Sequence, residues 1–190
     1  MKTAVCATAL VGAALAASVP RQASSSDIDP TVLNFALTLE HLENTFYKGA
    51  LAKFQAADFT AAGAPASFYK NLQYVSLDEA THVKELTDAL NAAKVTPVKQ
   101  CTYDLPYSDA KGFLGLARIL EGVGTSAYLG AAPLITSKDY LTAAGSILVV
   151  EAEHTALLRG ATGLIPNANP NGTPIDPTTA YTLADRKSVV

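Results

Sequence analysis

Two of the three histidines in this 190-residue chain follow a glutamate by three residues, in Glu79-Ala80-Thr81-His82 and Glu151-Ala152-Glu153-His154. Each motif sits in the middle of a long segment of helical periodicity. One segment spans roughly Ala66 to Ala93, with Leu72, Val75, Glu79, His82, Leu86 and Leu90 on one stripe. The other spans roughly Ser137 to Gly160 and aligns Ala144, Ile147, Glu151, His154 and Leu158. Residues three apart share a helix face, so each motif can present a carboxylate oxygen and an imidazole nitrogen to one point. A stripe that is apolar at both ends and acidic in the middle can be buried only if something in the interior neutralises the acid.

Two further helical segments carry a different but matching pattern. The first starts at Asp27-Ile28-Asp29-Pro30 and runs to about Phe54, with Leu33, Leu37, Glu40, Tyr47 and Leu51 on its stripe. The other starts at Ser108 or Asp109 and runs to about Ala132, before Pro133, with Leu114, Ala117, Glu121, Gly124 and Tyr128. In both, a tyrosine follows the glutamate by seven residues, nearly two turns, which puts it on the same face about 10 Å along the axis. There it can donate a hydrogen bond to a carboxylate on a neighbouring helix. In chain order the pattern is Glu…Tyr, Glu-Ala-x-His, Glu…Tyr, Glu-Ala-x-His, a doubled helical hairpin.

No segment shows the sustained alternation of a strand, so the expected class is all-α. Short polar or Pro-containing turns join the first helix to the second and the third to the fourth, as suits antiparallel neighbours. The middle link is longer. Lys94 to Tyr107, 14 residues, reaches roughly 45 Å when extended, enough to run back along a helix of about 25 residues, about 37 Å long. Two antiparallel pairs with one long crossover, between the second and third helices, make a ferritin-like four-helix bundle.

Packing four such helices brings Glu40, Glu79, His82, Glu121, Glu151 and His154 into one layer. No lysine or arginine stands on these stripes, and burying unpaired like charges costs several kcal/mol per ion. Two divalent cations carry the charge that cancels four carboxylates. A glutamate from each of two helices with Glu-x-x-His from each of the other two is the ligand set of di-iron and di-manganese carboxylate bundles. Oxygen-rich coordination with one imidazole per ion favours iron, with manganese the alternative, over a thiolate-preferring structural zinc.

Other residues have plainer readings. Glu43 competes with Glu40 for the inward position, but only Glu40 reproduces the spacing to tyrosine seen at Glu121. His41 falls off the stripe and is expected at the surface, and Glu85 and Glu153 are expected to be solvated. Tyr47 and Tyr128 serve either as core aromatics or as donors to the ligands. Gly122 and Gly124 inside a helix point to close packing, or to space beside the metals.

Outside this core, Met1 to Ser18 has the form of a secretory leader: Lys2, an apolar run from Ala4 to Leu15, and the small-residue site Ala14-Leu15-Ala16. It is too short to span a membrane. Residues 19–27 read as a spacer or propeptide, 28–163 as the bundle and 164–190 as an irregular tail rich in Pro and Asn. A secreted or cell-wall protein is expected. The formal charge of −3 and the lack of a basic cluster speak against nucleic acid as a partner. Cys6 lies in the leader, so the processed chain keeps Cys101 alone, either free and buried or lacking its partner. Asn171-Gly172-Thr173 is a glycosylation sequon weakened by Pro174. The oligomeric state is not legible.

Leu39-Glu40-His41-Leu42-Glu43 with Phe46-Tyr47, and Asn169 to Asp176 followed by Ala180-Tyr181-Thr182-Leu183-Ala184, are similar to the ferritin-like domain family. Within it the chain resembles secreted fungal stress-response and late-sexual-development proteins, related to plant desiccation-related proteins, over about Asp29 to Ala184. The resemblance implies one ion held by Glu40 and His82, the other by Glu121 and His154, with Glu79 and Glu151 bridging. It also implies iron oxidation, storage or dioxygen chemistry. The fungal proteins continue past the segment matching Tyr181 with a stretch containing a cysteine, which implies a missing partner for Cys101. Three readings stand: a di-iron protein reacting with dioxygen or peroxide, a metal binder without turnover, and a structural stress or cell-wall protein whose site has lapsed.

Overall fold

The computed structural model describes residues 28–164. The expected leader, the spacer, the sequon and the tail from residue 165 onward lie outside the described residues. Four long helices and one short one make up the domain: α1 (Asp29–Lys53), α2 (Ala56–Ala61), α3 (Phe68–Ala92), α4 (Ala110–Ala131) and α5 (Lys138–Ala161). A 3-10 turn, Ala132–Leu134, built around Pro133, follows α4. The protein is an all-α ferritin-like bundle, with α1 packed on α3, α4 on α5, and the two hairpins joined through α1 with α4 and α3 with α5.

Each helix end has a local cause. Pro30 opens the first turn of α1, where a missing N–H costs nothing. The Asp109 carboxylate accepts a hydrogen bond from Gly112 N at 2.7 Å and starts α4, and Ser137 Oγ accepts one from Tyr140 N at 3.3 Å and starts α5. At the end of α3, Lys94 turns into the left-handed region (φ 59°) and lets Val95 N reach back to Leu90 O at 2.9 Å. The short α2 escapes the periodicity argument because its six residues make fewer than two turns. It is fixed by a reciprocal Gln55–Asp58 capping box and by Phe59, which is 1% exposed and packs against the rings of Phe54, Phe68, Tyr69 and Phe113.

The crossover lies along α1 for most of its length. Near the start of that helix, Asn34 Oδ1 accepts a hydrogen bond from Val98 N at 2.8 Å. Nearly two turns further on, His41 Nε2 meets Val98 O at 3.1 Å. Near the other end, Tyr107 Oη donates to Phe46 O at 3.0 Å and Lys53 Nζ donates to Tyr107 O at 3.0 Å. A side chain at Gly49 would not fit under this strap, since a Cβ there would stand 2.7 Å from Tyr107 Oη and 2.9 Å from Leu105 Cδ1. His41 is therefore not a free surface residue, as its place off the stripe implies, but an anchor for the crossover. Cys101, within the crossover, is disulfide-bonded and so is not the free, buried thiol that was one of the two readings of the sequence.

Two apolar clusters fill the bundle. One gathers Phe46, Phe54, Phe59, Phe68, Phe113 and Leu158 at the end where α4 begins, and the other gathers Leu33, Leu37, Leu86, Leu90 and Ile147 at the opposite end. Between them lies a buried polar layer. By length and composition α5 could cross a membrane. It instead brings Glu151 and His154 into that layer.

Candidate metal centre

Glu40, Glu79, Glu121 and Glu151 are each 0% exposed, and His82 and His154 are 5% and 4% exposed. The apolar turns on either side of each acid leave the helices no other way to pack, so the acids follow the hydrophobic stripes inward. His82 Nδ1 lies 3.2 Å from Glu40 Oε2, 3.3 Å from Glu151 Oε1 and 3.4 Å from Glu79 Oε2. His154 Nδ1 lies 3.0 Å from Glu79 Oε1 and 3.5 Å from Glu121 Oε2. Four helices thus converge on two adjoining clusters, Glu40, Glu79, His82 and Glu151 on one side and Glu79, Glu121, Glu151 and His154 on the other. In each, one ligand atom per residue lies within 4.8 Å of the others, so each could hold a metal ion. Glu79 and Glu151 belong to both clusters.

The tyrosines cross between the hairpins. Tyr47 Oη donates to Glu121 Oε1, and Tyr128 Oη donates to Glu40 Oε1 at 2.5 Å. As residue number rises along α1 from 40 to 47, its partner on α4 falls from 128 to 121, so the two helices are antiparallel, as a full-length crossover requires. Each phenol occupies one oxygen of a carboxylate and leaves the other, Oε2, turned to a histidine. Both phenols are buried, and burial with the adjacent carboxylates pushes their pKa well up, so they remain donors.

Charge in this layer is strained by its own density. Burial pushes the Glu40 carboxyl up to about 7 and raises that of Glu121 as well. Glu151 is driven well above the carboxylate range by burial and then by the charge of Glu121. Burial acts in the same direction on Glu79, but the adjacent His154 and His82 outweigh it and hold it at about 2. Burial would lower the histidines, yet the surrounding carboxylates push His82 up to about 12 and His154 up to about 11. Even so, both oxygens of Glu79, both of Glu151, Oε2 of Glu121 and Nδ1 of His154 make no well-directed hydrogen bond. Buried polar atoms are nearly always satisfied, and so many orphans in one volume fit a set of ligands for cations.

Four further residues contribute that the motifs do not single out as ligands. Glu43 is 3% exposed and belongs to the same acidic layer, so it accompanies Glu40 and does not compete with it. Its signal was present, since residues 40 and 43 share a face. Asp78 Oδ2 lies 3.3 Å from His154 Nε2, where it fixes the ring with Nδ1 facing the carboxylates. Nothing in the motif spacing marks it. Thr125 and Thr155 join α4 to α5 beside the layer, Oγ1 to Oγ1 at 3.0 Å. Glu85 and Glu153 are exposed, as expected. Of the two glycines, Gly122 has open space about it, whereas a Cβ at Gly124 would come within 2.7 Å of Glu151 Oε2.

A four-helix bundle with one long crossover, enclosing a glutamate–histidine cluster suited to metal ions, defines the class. The chain belongs to the ferritin-like domain family, whose pattern matches residues 28–164. It is also similar to protein rds1 of Schizosaccharomyces pombe, at 26% identity over 149 residues that make up 78% of this chain and 36% of that protein. The chain therefore spans little more than a third of that relative's length.

Proposed function

We propose that this layer is a di-iron site, with Glu40 and His82 on one ion, Glu121 and His154 on the other, and Glu79 and Glu151 bridging. On this reading the protein is secreted and reacts with dioxygen or peroxide in protection against stress. The observation that carries it is the set of orphaned, fully buried carboxylate oxygens, shared between two adjoining four-residue clusters. Iron, when bound, would supply the electrons for reduction of dioxygen or peroxide.

The chain's own residues do the rest. Glu79 and Glu151, common to both clusters, would be shared by the two ions. Tyr128 and Tyr47 each engage one oxygen of Glu40 and Glu121, leaving Oε2 to bind. Asp78 accepts the Nε2 proton of His154 and keeps the Nδ1 lone pair directed inward. The apolar clusters above and below exclude water, which strengthens every charge interaction between them. Secretion rests on the leader-like N-terminus, and the stress context on the resemblance to fungal stress-response proteins.

Metal analysis after anaerobic Fe(II) loading, with the absorption spectrum of the loaded protein, tests the site: two ions per chain are expected, and fewer than one in Glu79→Ala/Glu151→Ala. Oxygen and peroxide consumption by the loaded protein then tests turnover, with the double variant as the baseline. A second reading, a structural protein with a lapsed site, is favoured by one observation: the two histidines pair with the carboxylates and partly neutralise the layer without any ion. Loaded protein that retains neither iron nor manganese would leave that reading alone.

A further inference from the structure

The two hairpins repeat one another at all six proposed ligand positions and at both tyrosines. Glu40 is matched by Glu121, Tyr47 by Tyr128, Glu79 by Glu151 and His82 by His154, whereas three residues after the first glutamate stands Glu43 and three after its counterpart stands Gly124. These two positions face each other across the bundle. Glu43 Oε1 lies 3.1 Å from the point a Gly124 Cβ would occupy, and Glu151 Oε2 lies 2.7 Å from that same point. The missing side chain on α4 is the space into which the carboxylate from α1 reaches. Glu43 is 3% exposed, and its Oε2 has no hydrogen-bond partner.

From this we infer that Glu43 is a seventh metal ligand, binding a divalent cation together with Glu151 on the side of the cluster that Gly124 leaves open. The inference rests on the metal reading above. A fully buried carboxylate with an unpaired oxygen is costly to keep unless a cation or a donor meets it, and a glycine inside a helix gives up as much as ~1 kcal/mol relative to alanine. Ligation by Glu43 accounts for both. It also makes the two ion positions unequal, since one gains an additional carboxylate in an otherwise doubled arrangement.

Anaerobic titration of the full chain with Mn(II), followed by calorimetry and by the Mn(II) paramagnetic resonance spectrum, tests this without reference to turnover. Wild type is expected to bind two ions. In Glu43→Gln the affinity for one of them should fall at least about tenfold, with a changed resonance spectrum, while the other ion binds as before. Gly124→Ala should weaken the same ion by crowding Glu43 and Glu151, and Glu43→Asp, which shortens the reach by one methylene, should do so too. The metal-free Glu43→Gln protein should melt no lower than wild type, because the substitution removes a buried acid without a partner; a purely structural role would lower it. Two-ion binding in wild type with an unchanged Glu43→Gln isotherm and spectrum would remove Glu43 from the ligand set and leave the di-metal reading standing. A wild-type protein that takes up no Mn(II) would overturn both.

Discussion

At the residue scale, the tyrosine hydroxyls decide how the terminal carboxylates can bind. Glu40 and Glu121 each give one oxygen to a phenol from the opposite hairpin, so a cation meets them through the other oxygen alone. Removing the Tyr47 hydroxyl leaves a buried carboxylate oxygen without its donor. Tyr47→Phe is expected to cost about 1–3 kcal/mol of stability in the metal-free protein, measured by urea unfolding, and less once metal is bound and Glu121 can engage through both oxygens. Asp29 supplies a pH-dependent contribution away from the site. Burial would raise its carboxyl, but hydrogen bonds from Thr136 and Ser137 bring it below the usual value. A carboxyl so lowered stabilises the fold above its unfolded value and loses that contribution as pH falls through its folded value. Asp29→Asn should therefore be less stable than wild type at pH 7, and the difference in melting temperature should shrink below about pH 4.

Among the elements, the two least visible in the sequence carry distinct duties. The short α2 closes the bundle end through Phe59, and truncating that ring should cost about 3–5 kcal/mol, read from denaturant unfolding, a large effect for a helix of six residues. The end of α3 is held by Lys94 in a left-handed conformation that side chains resist. Lys94→Gly should raise stability by about 0.5–1 kcal/mol, seen as a higher melting temperature with an unchanged fold. The four long helices were legible because their acids interrupt otherwise regular apolar stripes, and the crossover because Lys94 to Tyr107 is too long for a turn. The capping box of α2 was not, since Gln55 and Asp58 resemble any polar loop until Phe59 is seen packed. Glu43 was half legible: its face is right, but only the approach to Gly124 reveals that both it and Glu40 are inside. Asp78 could not be read at all, because its link to His154 spans two helices that only the assembled bundle brings together.

For the whole molecule, the polar layer divides one core into two, and the cost of that division falls when cations are present. A ligand that binds only the folded chain stabilises it by about 2.7 kcal/mol at a hundred times its dissociation constant. The melting temperature should therefore rise with added Fe(II) or Mn(II) and return on chelation, and the rise should be lost in Glu79→Ala/Glu151→Ala. Because Tyr47 serves Glu121 and Tyr128 serves Glu40, neither hairpin completes a binding position by itself. A half-molecule cut within the crossover would carry one histidine and only part of the acids yet have no phenol in reach of its own terminal glutamate. Two such fragments, mixed, could regain the native arrangement only by embracing one another, so the 14-residue tether serves chiefly to keep each half within reach of its complement at any dilution.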